Sequence, residues 1–181
     1  MLTTERLIIR NFRKSDWKDL YAYLSLAETY VFEPGEPVTS RGAKRLARIR
    51  VKTDSFLAVV RKSDDRMIGH LYLGRTEPSE FNTWELGYIF NPEYRNQGFC
   101  TEAARRAMEY AFTDLRAHKV VAFCDPRNPA SWHVLENIGL RREGHFTAKA
   151  FFRKDAEGHP DWHDAYAYGL TERDWFDPSF R

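Results

Sequence analysis

The sequence predicts an α/β protein built on one mixed, mostly antiparallel sheet with helices on its faces. Three features predict it. Short runs alternate apolar and polar residues, longer runs repeat apolar residues three and four apart, and two strand runs pass within a few residues into helical ones. Strands joined by a short turn pair antiparallel, whereas strands joined through a helix lie parallel. A chain with both connections folds into a mixed sheet.

Each element follows from its residues. Residues 6–10 form the first strand, with Leu7 and Ile9 on one face. Ser15 is placed to cap a helix that carries Trp17, Leu20, Tyr21 and Leu24 at helical spacing. Pro34, Gly35 and Pro37 make 31–38 an irregular loop, and a second helix follows over about 40–51. Residues 55–60 and 67–73 read as a hairpin around Ser63, Asp64 and Asp65. A strand at 83–90 ends on Asn91 and Pro92. The helix expected over 101–113 turns Ala104, Ala107, Met108 and Ala111 to one face. A strand at 119–124 and a helix at 129–137, stopped by Gly139, come next. The last pattern is a long-looped hairpin of about 141–153 and 162–170. The total is about seven strands in a single domain, 1–181, with no internal repeat or linker.

Composition excludes several classes. A chain of 181 residues buries roughly 70% of its unfolded surface, so it needs no disulfide or metal staple. The formal net charge of +2 gives no global field toward nucleic acid or a membrane. Cys100 and Cys124 have no partners at metal-ligand spacing, so no metal is expected. Free thiols and the lack of a secretory signal point to the cytoplasm. The apolar runs are too short to span a bilayer.

Chemistry concentrates where the strand ending at Phe90 approaches the helix near Thr101. A helix start leaves four backbone N–H groups unpaired at the positive end of the macrodipole. A phosphate there receives several bonds at once, Gly98 lets backbone come close, and Arg95 can add a charge-assisted bond. Taken alone, one glycine reads as an ordinary strand-to-helix turn.

The run from Glu85 to Ala103 resembles the cofactor motif of the GNAT superfamily of N-acetyltransferases, Arg/Gln-x-x-Gly-x-Gly/Ala before a helix. Arg95 and Gly98 match, and Cys100 stands where Gly or Ala is usual. Asn128, Ser131, Val134 and then Gly139-Leu140 resemble the family's second block. The opening Thr4 to Arg10, and Trp162, Asp164, Tyr166, Tyr168 and Trp175 near the end, are similar to the ribosomal-protein N-terminal acetyltransferase (RimJ/RimL-like) branch.

That resemblance implies a GNAT-like sheet whose fourth and fifth strands splay apart around the pantetheine arm of acetyl-CoA, the cosubstrate. It implies that the backbone of Tyr88, Ile89 and Phe90 pairs with the pantetheine amides and polarises the thioester carbonyl. Arg95, Asn96, Gln97, Gly98, Phe99, Cys100 and Thr101 would hold the pyrophosphate. Asn128 would bond the pantetheine arm, cap its own helix, or do both. Amine acylation needs a base for the ammonium and an acid for the departing thiolate. Glu85 is the candidate base, directly or through water, with a solvent-facing or Arg75-paired carboxylate as its alternative. Many relatives carry a tyrosine acid where this chain has Leu135, so Ser131 becomes the candidate acid. The implied activity is acetyl transfer to a primary amine by direct attack in a ternary complex. The acceptor would be a small molecule or a protein N-terminus, a ribosomal protein among them, with homodimerisation left open and no membrane partner. The missing tyrosine and Cys100 define the alternative, a non-catalytic acyl-CoA-binding regulatory module.

Other residues have plainer readings. His70 falls inside a strand, His133 on the outer side of its helix, and His145, His159 and His163 around the late hairpin. Cys100 has no base beside it and reads as a small residue at a turn. The second helix carries Arg41, Lys44, Arg45, Arg48, Arg50 and nearby Lys52 without an acid, with Leu46 and Ile49 expected to pack inward. A solvated face explains it; an acidic peptide, the cofactor's phosphates or RNA would also suit it.

Overall fold

Alternation and hairpin turns bring the strands together in the computed structural model, which describes residues 1–177 and Ser179. The elements are β1 (Leu2–Thr3), β2 (Leu7–Asn11), α1 (Trp17–Leu24), α2 (Ser40–Arg50), β3 (Phe56–Arg61), β4 (Arg66–Arg75) and β5 (Thr83–Phe90). They continue with α3 (Phe99–Thr113), β6 (Lys119–Cys124), α4 (Pro129–Asn137), β7 (Arg141–Lys154), β8 (Pro160–Thr171) and α5 (Glu172–Phe176). Eight strands form one sheet in the order β1-β2-β3-β4-β5-β6-β8-β7. All pair antiparallel except β5 and β6, the pair joined through α3, which run parallel.

Two apolar layers flank the sheet. On one face Ala103, Ala104, Ala107, Met108 and Ala111 let α3 settle closely onto Leu71, Leu86, Val120 and Ala122. On the other, Leu20, Tyr23 and Leu24 of α1 and Ala47 of α2 cover Ala58, Val60 and Met67. No helix among the described residues is long and apolar enough to cross a membrane.

Several local expectations need correction. Ser15 lies in a short 3-10 turn, and Asp16 takes the N-cap position of α1. The Asp16 carboxylate accepts from the Arg13 amide at 2.7 Å and from both Arg10 terminal nitrogens at 2.8 Å. Tyr23, rather than Tyr21, faces the core. In α2 the inward face is Ala43 and Ala47, while Ile49 is 54% exposed. Arg50 turns inward instead, its guanidinium 4.4 Å from the Phe56 ring centroid and 5.3 Å from that of Phe12. Helix α3 starts at Phe99, two residues earlier than expected, because Gly98 adopts φ +76° and turns the chain directly into it. Two short elements escaped the pattern, β1 with two residues and α5 with five.

The sheet is unzipped at its centre. Pairing between β5 and β6 covers Thr83↔Lys119, Trp84↔Val120 and Glu85↔Val121, and then ends. Beyond that point β5 stays paired with β4 through Gly69↔Phe90, and β6 stays paired with β8 through Cys124↔Tyr166. Each strand thus follows its outer neighbour, and the central pair parts. These are the fourth and fifth strands of the sequence reading, β1 being the addition.

Candidate active site

A cleft of ≈ 700 Å³ lies along the parted end of β5. At one end are Arg95, Asn96, Gly98, Phe99, Cys100 and Thr101; Tyr88, Ile89, Phe90, Asn128 and Ser131 line its walls. Glu28, Thr29, Val31, Phe32 and Glu33, from the connection between α1 and α2, complete it. Of the residues expected at the cofactor, only Gln97 is not part of this lining. Its side-chain amide donates to the Glu93 carbonyl at 3.3 Å, and its own carbonyl accepts from Arg6 Nη1 at 3.0 Å.

The turn ahead of α3 is held from outside the motif. Asn96 at φ +58° and Gly98 at φ +76° place two left-handed residues just ahead of α3. A Cβ on Gly98 would meet only Arg6 Nη2, at 3.5 Å, so the backbone is open to a close approach. Glu102 in the first turn accepts from the Thr4 hydroxyl at 2.5 Å, the Arg6 amide at 3.0 Å and Arg6 Nε at 2.6 Å. The Arg6 guanidinium also lies 4.4 Å from the Phe99 ring centroid. The opening residues Thr4 to Arg6 are therefore a brace for the turn. Arg95 pairs with Glu28 at 2.9 Å, both about half exposed. Such a pair contributes under about 1 kcal/mol, so an arriving anion can recruit Arg95.

Midway along the cleft stand two hydroxyls. Tyr88 Oη donates to the Ser131 carbonyl at 2.8 Å and lies 3.2 Å from Ser131 Oγ. Burial holds the Tyr88 phenol well above its ordinary range, so it stays protonated. Leu135 is buried in the core. Two phenols line the cleft, Tyr88 from β5 and Tyr94 from the turn before α3, and of these Tyr88 is the one bonded to Ser131. Asn128 Oδ1 accepts from the Ser131 amide at 3.2 Å, which is the capping role. Its Nδ2 has no partner among the described residues and remains a free donor. Burial pushes the Cys124 thiol up to about 11 and raises that of Cys100 as well, so neither is a thiolate nucleophile near neutral pH.

Glu85 is not part of the lining. It sits at the closed end of the parting, between Gly74 and Val121, and Lys149 is the charge that feels it. Alternation puts Glu85 with Ile89 on the α1 and α2 side of the sheet, where Ile89 packs. Glu33 was missed. Its half-buried carboxylate has no hydrogen bond or ion pair among the described residues, and burial pushes it up to about 7. The available signal was a lone acid inside Tyr30-Val31-Phe32-Glu33-Pro34. The segment is tied down by Thr29 Oγ1 to the Tyr23 carbonyl at 2.6 Å and the Val38 amide to the Leu24 carbonyl at 2.8 Å. Arg153 also donates to the Tyr30 carbonyl.

His133, expected on the outer side of its helix, also lines the cleft, whereas His70 and His163 lie elsewhere. His70 is buried, with Nδ1 2.6 Å from Tyr23 Oη. Asp125, just after β6, meets His163 Nδ1 at 2.7 Å and Arg127 Nη2 at 2.7 Å, and its carbonyl accepts from the Asn128 amide at 2.9 Å. Burial alone would raise the Asp125 carboxyl, yet bonds from Arg127 and His163 outweigh it and hold it at about 2. Its stabilising contribution is present above the ordinary carboxylate range near 4 and fades as pH falls through about 2. Asp125→Ala removes the buried carboxylate that His163 and Arg127 share, so thermal melting at neutral pH should show a loss of about 3 kcal/mol.

Residues 6–141 match the model of a family described as Acetyltransferase (GNAT) domain. The uncharacterized N-acetyltransferase YnaD of Bacillus subtilis is 34% identical over 180 residues, covering 96% of this chain and 98% of that protein. The [ribosomal protein uS5]-alanine N-acetyltransferase of Escherichia coli is 25% identical over 188 residues, covering 96% and 92%. A GNAT-family acetyltransferase structure from Bacillus anthracis superposes with a TM-score of 0.84 at 29% identity, covering 95% of this chain and 98% of that one. With its parted sheet and these relatives, the chain belongs to the GNAT family and is an N-acetyltransferase.

Proposed function

We propose that the protein transfers the acetyl group of acetyl-CoA to a primary amine by direct attack in a ternary complex, in the cytoplasm. One observation carries this reading: a single cleft joins an anion-binding helix start, an unpaired strand edge and the Ser131–Tyr88 hydroxyl pair. The fit is chemical at each point. Backbone N–H groups from Gly98 to Thr101, with Arg95, suit the pyrophosphate. The free edge of β5 at Tyr88 to Phe90 suits the pantetheine amides, and an N–H there suits the thioester oxygen. The free Asn128 amide adds a donor to the same arm.

Ser131 then protonates the departing thiolate, held in place by Tyr88. Two carboxylates stand on the α1 and α2 side to receive the acceptor's proton, Glu85 at the closed end and Glu33 in the cleft wall. The Escherichia coli relative acts on a ribosomal protein alanine; a protein N-terminus and a small amine are both candidates here. Incubation with acetyl-CoA and an amine panel should release free thiol in step with acetamide. Absence of both thiol release and CoA binding would sink the reading. Ser131→Ala should lower kcat by about 100-fold, a typical share for a positioned proton donor, while CoA affinity measured by calorimetry stays within about twofold.

A further inference from the structure

We propose that Glu33 receives the acceptor's ammonium group and takes its proton, and that the acceptor is an amine with no carboxylate on the amine-bearing carbon. This rests on the acetyl-transfer reading above and adds the residue and the acceptor class.

The argument begins with the charges in the cleft. Among its described lining residues the ionic groups are Glu28, Glu33 and Arg95, with His133 as the one imidazole. Arg95, paired with Glu28 in the free protein, is the cation that the pyrophosphate would draw away, so with cosubstrate bound it does not serve an acceptor carboxylate. Glu33 is left as an unpaired carboxylate among Val31, Phe32 and Tyr88, so the acceptor end is anionic and poorly solvated. A partly desolvated carboxylate without a donor gains most from a cation that brings its own N–H groups. An α-amino acid would bring a second carboxylate to that place, where no free cation answers it. Alkylamines and peptide N-termini carry no such penalty.

Position supports the same role. Glu33 and Tyr88 face the same space, close enough for the carboxylate to act on the phenol. The Ser131 hydroxyl that meets the thiolate is bonded to that phenol. Glu85, by contrast, stands where the strands are still paired and is opposed by Lys149. The step balances as follows. The ammonium gives one proton to Glu33, and the amine lone pair forms the N–C bond to the acetyl carbon. The C–S bond breaks with its electron pair on sulfur. The second N–H proton reaches the thiolate through Ser131, and Glu33 returns its proton to water.

A carboxyl raised by burial to about 7 is matched to this task near neutral pH. It acts as a base only when ionised, so the rate should fall on the acid side of about pH 7. The other titratable groups lining the same cleft are Glu28, Arg95, Tyr94, Tyr88 on β5, Cys100 on α3 and His133 on α4.

The test compares Glu33→Gln, Glu85→Gln and His133→Asn in the full chain, with an alkyl diamine, a tripeptide amide and a free α-amino acid as acceptors. Glu33→Gln should lower kcat/KM for the first two by about 100-fold and remove the acid limb of the pH–rate profile. It should leave CoA affinity within about twofold. Glu85→Gln and His133→Asn, whatever each costs in rate, should keep the acid limb. The parent should prefer either amine over the amino acid. The proposal is overturned if the loss and the limb follow Glu85 or His133, or if the amino acid is the best acceptor. A parent that neither binds CoA nor turns over any amine overturns the underlying acetyl-transfer reading instead.

Discussion

Gly98→Val is expected to weaken acetyl-CoA binding by on the order of 100-fold, equivalent to about 3 kcal/mol. Two effects add. At φ +76° a β-branched side chain is strained by about 1–3 kcal/mol, and the turn relieves it by moving away from the left-handed region. That movement swings the N–H groups of Phe99 and Cys100 out of line with any bound phosphate. The new side chain also occupies the open space in front of the turn, where only Arg6 Nη2 comes within 4 Å of a Cβ. Calorimetry should record the loss with the chain still folded, since the rest of α3 is anchored by Glu102 and its alanine face. Residual kcat at saturating acetyl-CoA should change less than affinity does. Unchanged affinity in a folded variant would place the pyrophosphate elsewhere.

Phe112→Ala should have the opposite signature, a loss of about 3–5 kcal/mol in stability with CoA affinity preserved in the folded fraction. Phe112 is fully buried at the far end of α3 and stacks on Trp175 with ring centroids 5.3 Å apart. Removing the ring leaves a cavity between α3, the sheet and α5, and Trp175 loses its partner. Thirteen residues of helix separate it from Phe99, about 20 Å at the helical rise, so the phosphate turn should not feel the change directly. Denaturant melts and CoA titrations run side by side separate the two variants. A Phe112→Ala protein that keeps its midpoint but loses CoA would contradict this division.

The contrast shows which parts of the molecule could be read from the sequence. The turn at Gly98 and the Asn128 cap on Ser131 were legible because their geometry depends on residues within a turn or two of them. The strands were legible because burial of one face imposes alternation, as at Leu7 and Ile9. Residues whose setting depends on distant segments were not. Glu33 becomes a desolvated carboxylate only when its loop is pinned to Leu24 and by Arg153, more than a hundred residues away. Tyr88 was read for its backbone alone, since its hydroxyl meets Ser131 only after β5 and α4 are brought together. The misjudged Ile49 has a similar cause. Helical spacing allows several inward faces, and tertiary packing selected the alanines together with Arg50, held between two aromatic rings. Asp16 rather than Ser15 takes the N-cap position, its carboxylate held by a bidentate arginine on β2 rather than bonded to the helix start.

The unzipped centre of the sheet has a consequence for the lifetime of the protein. Unpaired strand edges invite foreign strands, and here the exposed length of β5 ends inside a cleft rather than at the rim. A cosubstrate that binds there binds only the folded chain, so by mass action it adds about 2.7 kcal/mol of stability at a hundred times its dissociation constant. That increment is comparable to the cost of losing a core side chain. The abundance of the folded enzyme would then rise and fall with the acyl-CoA supply, without any regulator acting on it.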